Sequence, residues 1–425
     1  MHLLLRNSQV ISPAENINGR FDILIVNGVI NHMGVIWQHV REVMQYDLAG
    51  KIIVPGFFDM HVHFREPGQT HKEDISTGAL AAAYGGVTGV LAMPNTSPAM
   101  DSAAVLNANY AKSKDNIVDV YNSACATLGR NGKEITNIDE LVKTGALAIT
   151  DDGSPVEDDE LMKKALEKSA EHNIPIIQHC EIMSISNGGI MNEGKVSREL
   201  GVKGIPNASE YEIIKRDIGL VRKINNSRYH VQHISTKEGV ELVRQAKAEG
   251  LNVTAEACPH HFVLTDEAIK EYGANAKMNP PLRTQDDVDA ILEGIKDGTI
   301  DAICTDHAPH AADEKTLGLE KAPFGIIGLE TSIGLTYTYL VKKGIISIDD
   351  MIYKMSINPR KILNLPQIKM QVGEKANFTI LDLNKEWEVK EEYLHSKSKN
   401  SPFLGWKLTG KSVGILNNCK NLMYG

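Results

Sequence analysis

Asp59-Met60-His61-Val62-His63-Phe64-Arg65 carries two histidines one residue apart. Successive side chains of a strand alternate faces, so His61 and His63 project the same way. Two imidazoles on one face at a strand's end suit a divalent transition metal. A histidine pair with no metal is the competing reading, and the segments downstream decide between them.

This stretch is the first of eight apolar segments that read as strands, at about 57–63, 87–94, 116–123, 146–151, 174–180, 228–234, 252–258 and 301–306. Helical patterns lie between them, among them 77–84, 159–172 and 239–249. Repeated strand–helix units imply a parallel sheet covered on both faces. Eight units predict an α/β fold, a closed (β/α)8 TIM-type barrel. A doubly wound open sheet is the alternative, but no GxGxxG opens a helix after the first strand. The chain ends differ from the middle. Residues 3–6 and 21–26, with Asn27-Gly28 as a turn, read as short strands, as do 378–382 and 412–416 before Asn417-Asn418. Neither end makes a stable sheet alone. Together they are predicted to form one small composite β-sandwich domain, dividing the chain into 1–52, 53–367 and 368–425.

The 425 residues are 42% hydrophobic and 23% charged, enough to bury a full core. The net charge of −9, without a basic cluster, argues against nucleic acid. No stretch has the length of a membrane span, and the start of the chain lacks a signal-peptide pattern. The five cysteines, Cys125, Cys180, Cys258, Cys304 and Cys419, have no CxxC spacing. Reduced thiols in a cytoplasmic protein are the expectation.

In a barrel, catalytic groups gather at the C-terminal strand ends. Five of the eight predicted strands end there in metal-capable residues: His61 and His63, Asp151-Asp152, His179, His230 and His233, and Asp306-His307. Phase helps choose. Ala148, Thr150 and Asp152 share a face, and small residues suit a crowded interior, so Asp152 is the better ligand and Asp151 a supporting group. Tyr229, Val231 and His233 share a face, which assigns His233 to the site and His230 to the helix side. The set is then His61, His63, Asp152, His179, His233 and Asp306. It exceeds what one tetrahedral ion needs and fits two metals sharing a bridging carboxylate. Two close cations would lower the pKa of a shared water.

Arg65 lies two residues past His63 on the same face, and its planar fork matches a carboxylate. The polar stretch 311–321 reads as a mobile lid. His260 and His261 read as packing beneath the site.

Longer motifs run through the whole barrel: Glu66-Pro67-Gly68 after Arg65, Met93-Pro94-Asn95-Thr96, Thr150-Asp151-Asp152-Gly153, His230-Val231-Gln232-His233-Ile234-Ser235, Lys277-Met278-Asn279-Pro280-Pro281, Thr305-Asp306-His307-Ala308-Pro309-His310 and Pro323-Phe324-Gly325. In these the chain resembles class I dihydroorotase, of the amidohydrolase superfamily. The resemblance implies reversible cyclisation of N-carbamoyl-L-aspartate to L-dihydroorotate, a step of pyrimidine synthesis. It implies two zinc ions per subunit, the second held more loosely in some relatives. His61, His63 and Asp306 would hold the first, His179 and His233 the second, and Asp152 would bridge where many relatives use a carboxylated lysine. Asp306 would be the catalytic general acid and base, moving the proton of a metal-bridging hydroxide. His63, Phe64, Arg65, Asn95, Asn279, His310, Phe324 and Gly325 would contact substrate. A homodimer is common among relatives, and association with aspartate carbamoyltransferase occurs in the family. The rivals are a hydantoinase or allantoinase, and a non-catalytic scaffold for aspartate carbamoyltransferase. Against the first stand Arg65, Asn95 and Asp152. Against the second stands the complete ligand set.

Overall fold

Phe57–Val62 and Val87–Ala92 are buried at every position. A strand covered on both faces belongs in a parallel sheet between layers. The computed structural model, which describes residues 2–36 and 43–424, shows that arrangement. Phe57–Val62 pairs in parallel with Val87–Ala92, and that strand with Asp119–Asn122. Ile176–Gln178, Tyr229–Val231, Val253–Ala257 and Ala302–Ile303 form a second parallel run.

Two seams join the runs into a barrel. At one, the predicted strand 146–151 is reduced to a bridge at Ile149, parallel to both Ala124 and Ile176. The ladder still passes through it, with Thr150 N donating to Ala124 O at 2.9 Å and Ile177 N to Ile149 O at 3.0 Å. At the other seam Val62 bridges His307, and His63 N donates to His307 O at 2.9 Å. The Asp59 carboxylate reinforces this closure, accepting from His61 N at 3.1 Å and Thr305 N at 3.2 Å. Phe58, Met60, Leu91, Met93, Ala148, Ile177, Ala302 and Cys304 pack as one apolar cluster.

The helical patterns fall in Ile75–Tyr84, Asp159–Glu171 and Lys237–Ala248. Asp74, Asp158 and Thr236 begin them, each side chain accepting from a first-turn backbone N–H. Their apolar stripes bury against the strands, as Met162, Ala165 and Leu166 do.

Both chain ends contribute to one eight-stranded mixed sheet, the composite β unit of the expected fold. His2–Ser12 pairs antiparallel with Ile17–Val26 and parallel with Ile52–Pro55; Phe378–Glu388 pairs antiparallel with Ile52–Pro55 and with Lys407–Asn417. Leu3, Leu5, Ile23, Ile25, Ile53, Phe378 and Ile380 share its core. Residues 37–42 of the N-terminal part lie outside the described residues.

Asn27-Gly28 is the expected turn, with φ of 50° and 76°. Such angles suit a two-residue hairpin and exclude most side chains. A Cβ on Gly28 would also lie 2.3 Å from Cys419 Sγ and 3.3 Å from Cys419 Cα, in the neighbouring Asn418-Cys419 turn. Gly250 has a similar φ of 79°, and a Cβ there would meet nothing within 4 Å among the described residues. Gly250→Ala should therefore cost about 1 kcal/mol from backbone strain alone. Gly28→Ala should cost more and lower the thermal unfolding temperature further. Equal shifts would show that the contact between the two turns has no weight.

Candidate active site

The six predicted metal-ligating side chains converge at the C-terminal mouth of the barrel. His61 is fully buried, with Nδ1 2.5 Å from Glu256 Oε1. Its Nε2 has no hydrogen-bond partner among the described residues and lies 3.5 Å from Asp152 Oδ1 and 3.4 Å from Asp306 Oδ1. Asn95 donates from Nδ2 to Asp152 Oδ2 at 3.1 Å, which leaves its Oδ1 to accept from His63 Nδ1 at 2.9 Å. His63 Nε2 then faces Asp306 Oδ1 at 2.8 Å. His179 Nε2 lies 3.1 Å from Glu181 Oε2, so its Nδ1 faces inward, 2.9 Å from His233 Nε2. Asp152 sits among these nitrogens: Oδ1 is 4.0 Å from His179 Nδ1 and 3.9 Å from His233 Nε2, and Oδ2 is 3.6 Å from His63 Nε2.

This arrangement passes a chemical test for a metal centre. The outer nitrogens of His61, His63 and His179 are occupied by Glu256, Asn95 and Glu181, so their inner nitrogens present lone pairs to carboxylates and to one another. Facing lone pairs call for a proton or cation between them. Imidazole and carboxylate donors together suit zinc or a similar divalent ion. Three overlapping triads, His61/His63/Asp152, His61/His233/Asp306 and Asp152/His179/His233, each have their ligand atoms within 4.8 Å of one another. Asp152 belongs to two of them, and Asp306 groups with His233 as well as with His61.

The charges respond to this crowding. Burial raises the Asp152 and Asp306 carboxyls, but the surrounding histidines outweigh it and hold both below the ordinary range. Glu256 is held down in the same way by His61 and His230. Glu181 is lowered to about 2, burial being outweighed by His179. His233 is lowered to about 3 by burial and by His179. Asp59 is raised to about 6 by burial. Arg65, His233 and Asp306 have φ of 59°, 31° and 46°, a left-handed conformation that non-glycine residues adopt at a cost.

Every predicted site residue except His61 and Phe64 lines one cavity of about 300 Å³. His61 lies behind its wall. The Phe64 side chain packs instead against the Ile75–Tyr84 helix, beside Ile75 and Ala79. Arg65 is buried, donating from Nε to Pro309 O at 3.2 Å, with Nη2 3.3 Å from His310 Nε2. Burial lowers it to about 10, against the pull of Asp306 and Asp152. Asn279 donates to Glu181 Oε2 at 2.9 Å. Gly325 has φ of 149°, and a Cβ there would lie 2.6 Å from Ala308 O. Its N–H donates to Lys277 O, and its carbonyl accepts from Lys315 and Asn400. Gly325 therefore serves as cavity wall, next to Phe324, whose backbone bonds the His310 imidazole.

Tyr229 and His230 sit on the faces opposite to those expected. Tyr229 points outward, its hydroxyl bonded to Asp217 of the Ala208–Val221 helix at 2.7 Å. His230 points inward, between Thr254 and Glu256. The strand ends at Val231, and the left-handed backbone at His233, not strand phase, turns that imidazole into the site. Asp151 is pinned away by Ala126 N at 2.8 Å and Thr127 N at 3.1 Å. His260 and His261 are buried outside the cavity. The predicted lid contains two short helices, Ala312–Lys315 and Gly318–Lys321. Lys277 ties the second through the carbonyls of Leu319, Glu320 and Ala322. Glu256 and Glu181, which orient His61 and His179, were not singled out from the sequence. A lone acid inside the apolar run Val253–Ala257 was the available signal for Glu256.

A barrel with a side sheet from both chain ends and a histidine–aspartate cluster at its mouth defines an amidohydrolase. The solved structure of an L-hydantoinase (dihydropyrimidinase) from Arthrobacter aurescens matches with a TM-score of 0.88 and 25% identity, over 100% of this chain and 96% of that one. A dihydropyrimidinase from Brevibacillus agri shares the fold, with a TM-score of 0.87 and 22% identity over 100% and 95%. The dihydro-orotase-like family profile matches residues 50–239. A dihydroorotase from Acetivibrio thermocellus is 46% identical over 98% of this chain and 97% of its own. One from Elusimicrobium minutum is 48% identical over 96% and 95%. The chain belongs to the dihydroorotase family.

Glu256→Gln removes the charge behind His61 while keeping a similar shape. Zinc affinity, measured by competition with a chelator, should fall about 10-fold or more. Affinity within twofold of the unaltered protein would show that Glu256 serves the fold alone.

Proposed function

We propose that the chain catalyses the reversible ring closure of N-carbamoyl-L-aspartate to L-dihydroorotate, the dihydroorotase step of pyrimidine synthesis. The observation that supports it most is a buried guanidinium, Arg65, in the same small cavity as Asp306 and the histidine cluster. A ring amide bearing a carboxylate needs both ends of such a cavity.

In the opening direction Arg65 holds the substrate carboxylate, with Asn95 and His310 beside it. The Phe324 backbone receives the polar edge of the ring. Two divalent ions, when bound, supply Lewis-acid polarisation of the scissile carbonyl and acidify water. His61, His63, Asp152, His179, His233 and Asp306 would hold them. Asp306 starts as an ionised base, because the histidines around it outweigh burial. It takes the proton of the attacking water as the carbon–oxygen bond forms. It then gives that proton to the ring nitrogen as the carbon–nitrogen bond breaks. Closure runs through the same groups in reverse.

On the same resemblance we propose class I membership, zinc as the metal, two ions per subunit and a cytoplasmic homodimer compatible with association with aspartate carbamoyltransferase. We propose the domain limits 1–55, 56–367 and 368–425; the expected limit at 52/53 would cut the strand Ile52–Pro55, which pairs on both sides within the β sheet.

Zinc-loaded protein should open L-dihydroorotate and act far more slowly on hydantoin and allantoin. Asp306→Asn should lower kcat by about 10²-fold or more. A preference for hydantoin or allantoin in parallel assays would move the substrate to those rings. Metal-loaded protein inert on all three would point to the scaffold role.

A further inference from the structure

Arg130 lies beyond the Asp119–Asn122 strand, on a loop at the C-terminal mouth of the barrel, where ligand-handling groups gather. Gly129 and Arg130 are successive left-handed residues, with φ of 60° and 57°. The second angle is costly for any residue with a side chain. Three hydrogen bonds hold the turn: Gly129 N donates to Asp101 Oδ2 at 2.8 Å, Arg130 N to Thr127 O at 3.0 Å and Gly132 N to Thr127 Oγ1 at 2.9 Å. The turn sets a half-buried guanidinium against Gly153, a wall residue of the cavity. A Cβ built on Gly153 would lie 3.5 Å from Arg130 Nη2 and 3.8 Å from Asn95 Nδ2, so the guanidinium and the cavity's asparagine flank one spot. The guanidinium's one hydrogen bond among the described residues goes to a neutral group: Nη2 donates to Ser154 Oγ at 2.9 Å, while the buried Nε has no partner. Asp151 feels its charge, but those carboxylate oxygens are taken by Ala126 N, Thr127 N and the Thr127 hydroxyl. Arg65 feels it too, as repulsion. A guanidinium is a permanent cation. Beside the cavity there is thus a fixed positive charge without an ion-pair partner among the described residues, and an anionic ligand would supply one.

We infer that Arg130 is a substrate-capture residue, whose unpaired charge beside Gly153 draws carboxylated rings into the cavity and adds to the hold of Arg65. This rests on the dihydroorotate reading. The test uses Arg130→Gln, Arg130→Lys and Ser154→Ala as full-length, metal-loaded protein, with metal content and unfolding temperature checked. KM and kcat are measured on L-dihydroorotate. The Kd of orotate, a carboxylated pyrimidine that is not hydrolysed, is measured by calorimetry. Both are taken at ionic strengths of about 0.01 M and about 1 M, where charges are screened over about 30 Å and about 3 Å. At the lower one Arg130→Gln should raise KM and the orotate Kd together, by about tenfold, with kcat falling less than about threefold. At the higher one the gap should shrink to about twofold or less. Arg130→Lys keeps the charge and should recover most of the loss. Ser154→Ala frees the guanidinium from its hydroxyl partner and should keep the salt dependence of the unaltered protein. KM and Kd within about twofold of the unaltered protein for Arg130→Gln at low ionic strength would overturn the inference. So would a loss that salt does not diminish, or one that Ser154→Ala reproduces, since either marks an arginine that only braces the Gly153 loop. Unaltered protein that binds orotate but opens no L-dihydroorotate would instead overturn the reaction, with the Arg130 inference decided by orotate binding. Unaltered protein that does neither would overturn both.

Discussion

A carboxylate sealed in the barrel governs the site. Glu256 accepts at Oε1 from His61 Nδ1 and, at 3.3 Å, from the backbone N–H of His233, while Oε2 meets His230 Nε2 at 3.1 Å. An uncompensated buried charge is costly, so Glu256 is tenable only with those partners in place. The partners in turn gain a fixed orientation. His61 has one nitrogen committed outward and the other free, and His233 is anchored at the residue where its backbone turns left-handed. The same logic repeats at smaller scale in Glu181 behind His179 and Asn95 behind His63.

Closing the barrel and building the site are one problem. The seam between Val62 and His307 lies within two residues of His63 and Asp306, and Asp59 ties both sides of it through backbone N–H groups. Regular pairing stops there. Arg65, His233 and Asp306 leave strand geometry altogether. Irregular backbone is how several strands of different direction aim side chains at one point, and its cost is met by the closed hydrogen-bond ladder beneath.

The barrel was legible because periodicity is local: an apolar run covered on both faces, such as Val87–Ala92, reads as a parallel strand without knowledge of its neighbours. Asp152 was legible for the same reason, since Ala148 packs in the interior cluster and Thr150 reaches Gln232 across the barrel at 3.3 Å. His233 does face the site, but strand alternation is not the reason, because it fails once the strand ends at Val231. The partners of the histidines were not legible. His61 and Glu256 are 195 residues apart, and nothing in the run around Glu256 says which distant imidazole it will meet. Phe64 shows the converse limit: the residue after His63 belongs to the motif, yet its ring packs on a helix.

The cavity is electrically polar. Arg65, Lys72 and Lys315 surround His310 at one end, and Asp152, Asp306 and Glu181 stand with the histidines at the other. Lys315 is fixed by the carbonyls of Pro323 and Gly325, and burial with Lys277 nearby lowers it to about 7. Cationic charge at this end is thus carried by Arg65 and only in part, near neutral pH, by Lys315, and burial limits its screening. A ring with a carboxylate on one side and an amide on the other matches that polarity in one orientation only. Reversed, its carboxylate would face Asp152 and Asp306. An uncharged ring lacks this constraint and is oriented by shape and hydrogen bonds alone. Discrimination between such rings therefore lies in the cationic end of the cavity, while the histidine–aspartate end can serve either, which is how one barrel architecture accommodates different cyclic amides.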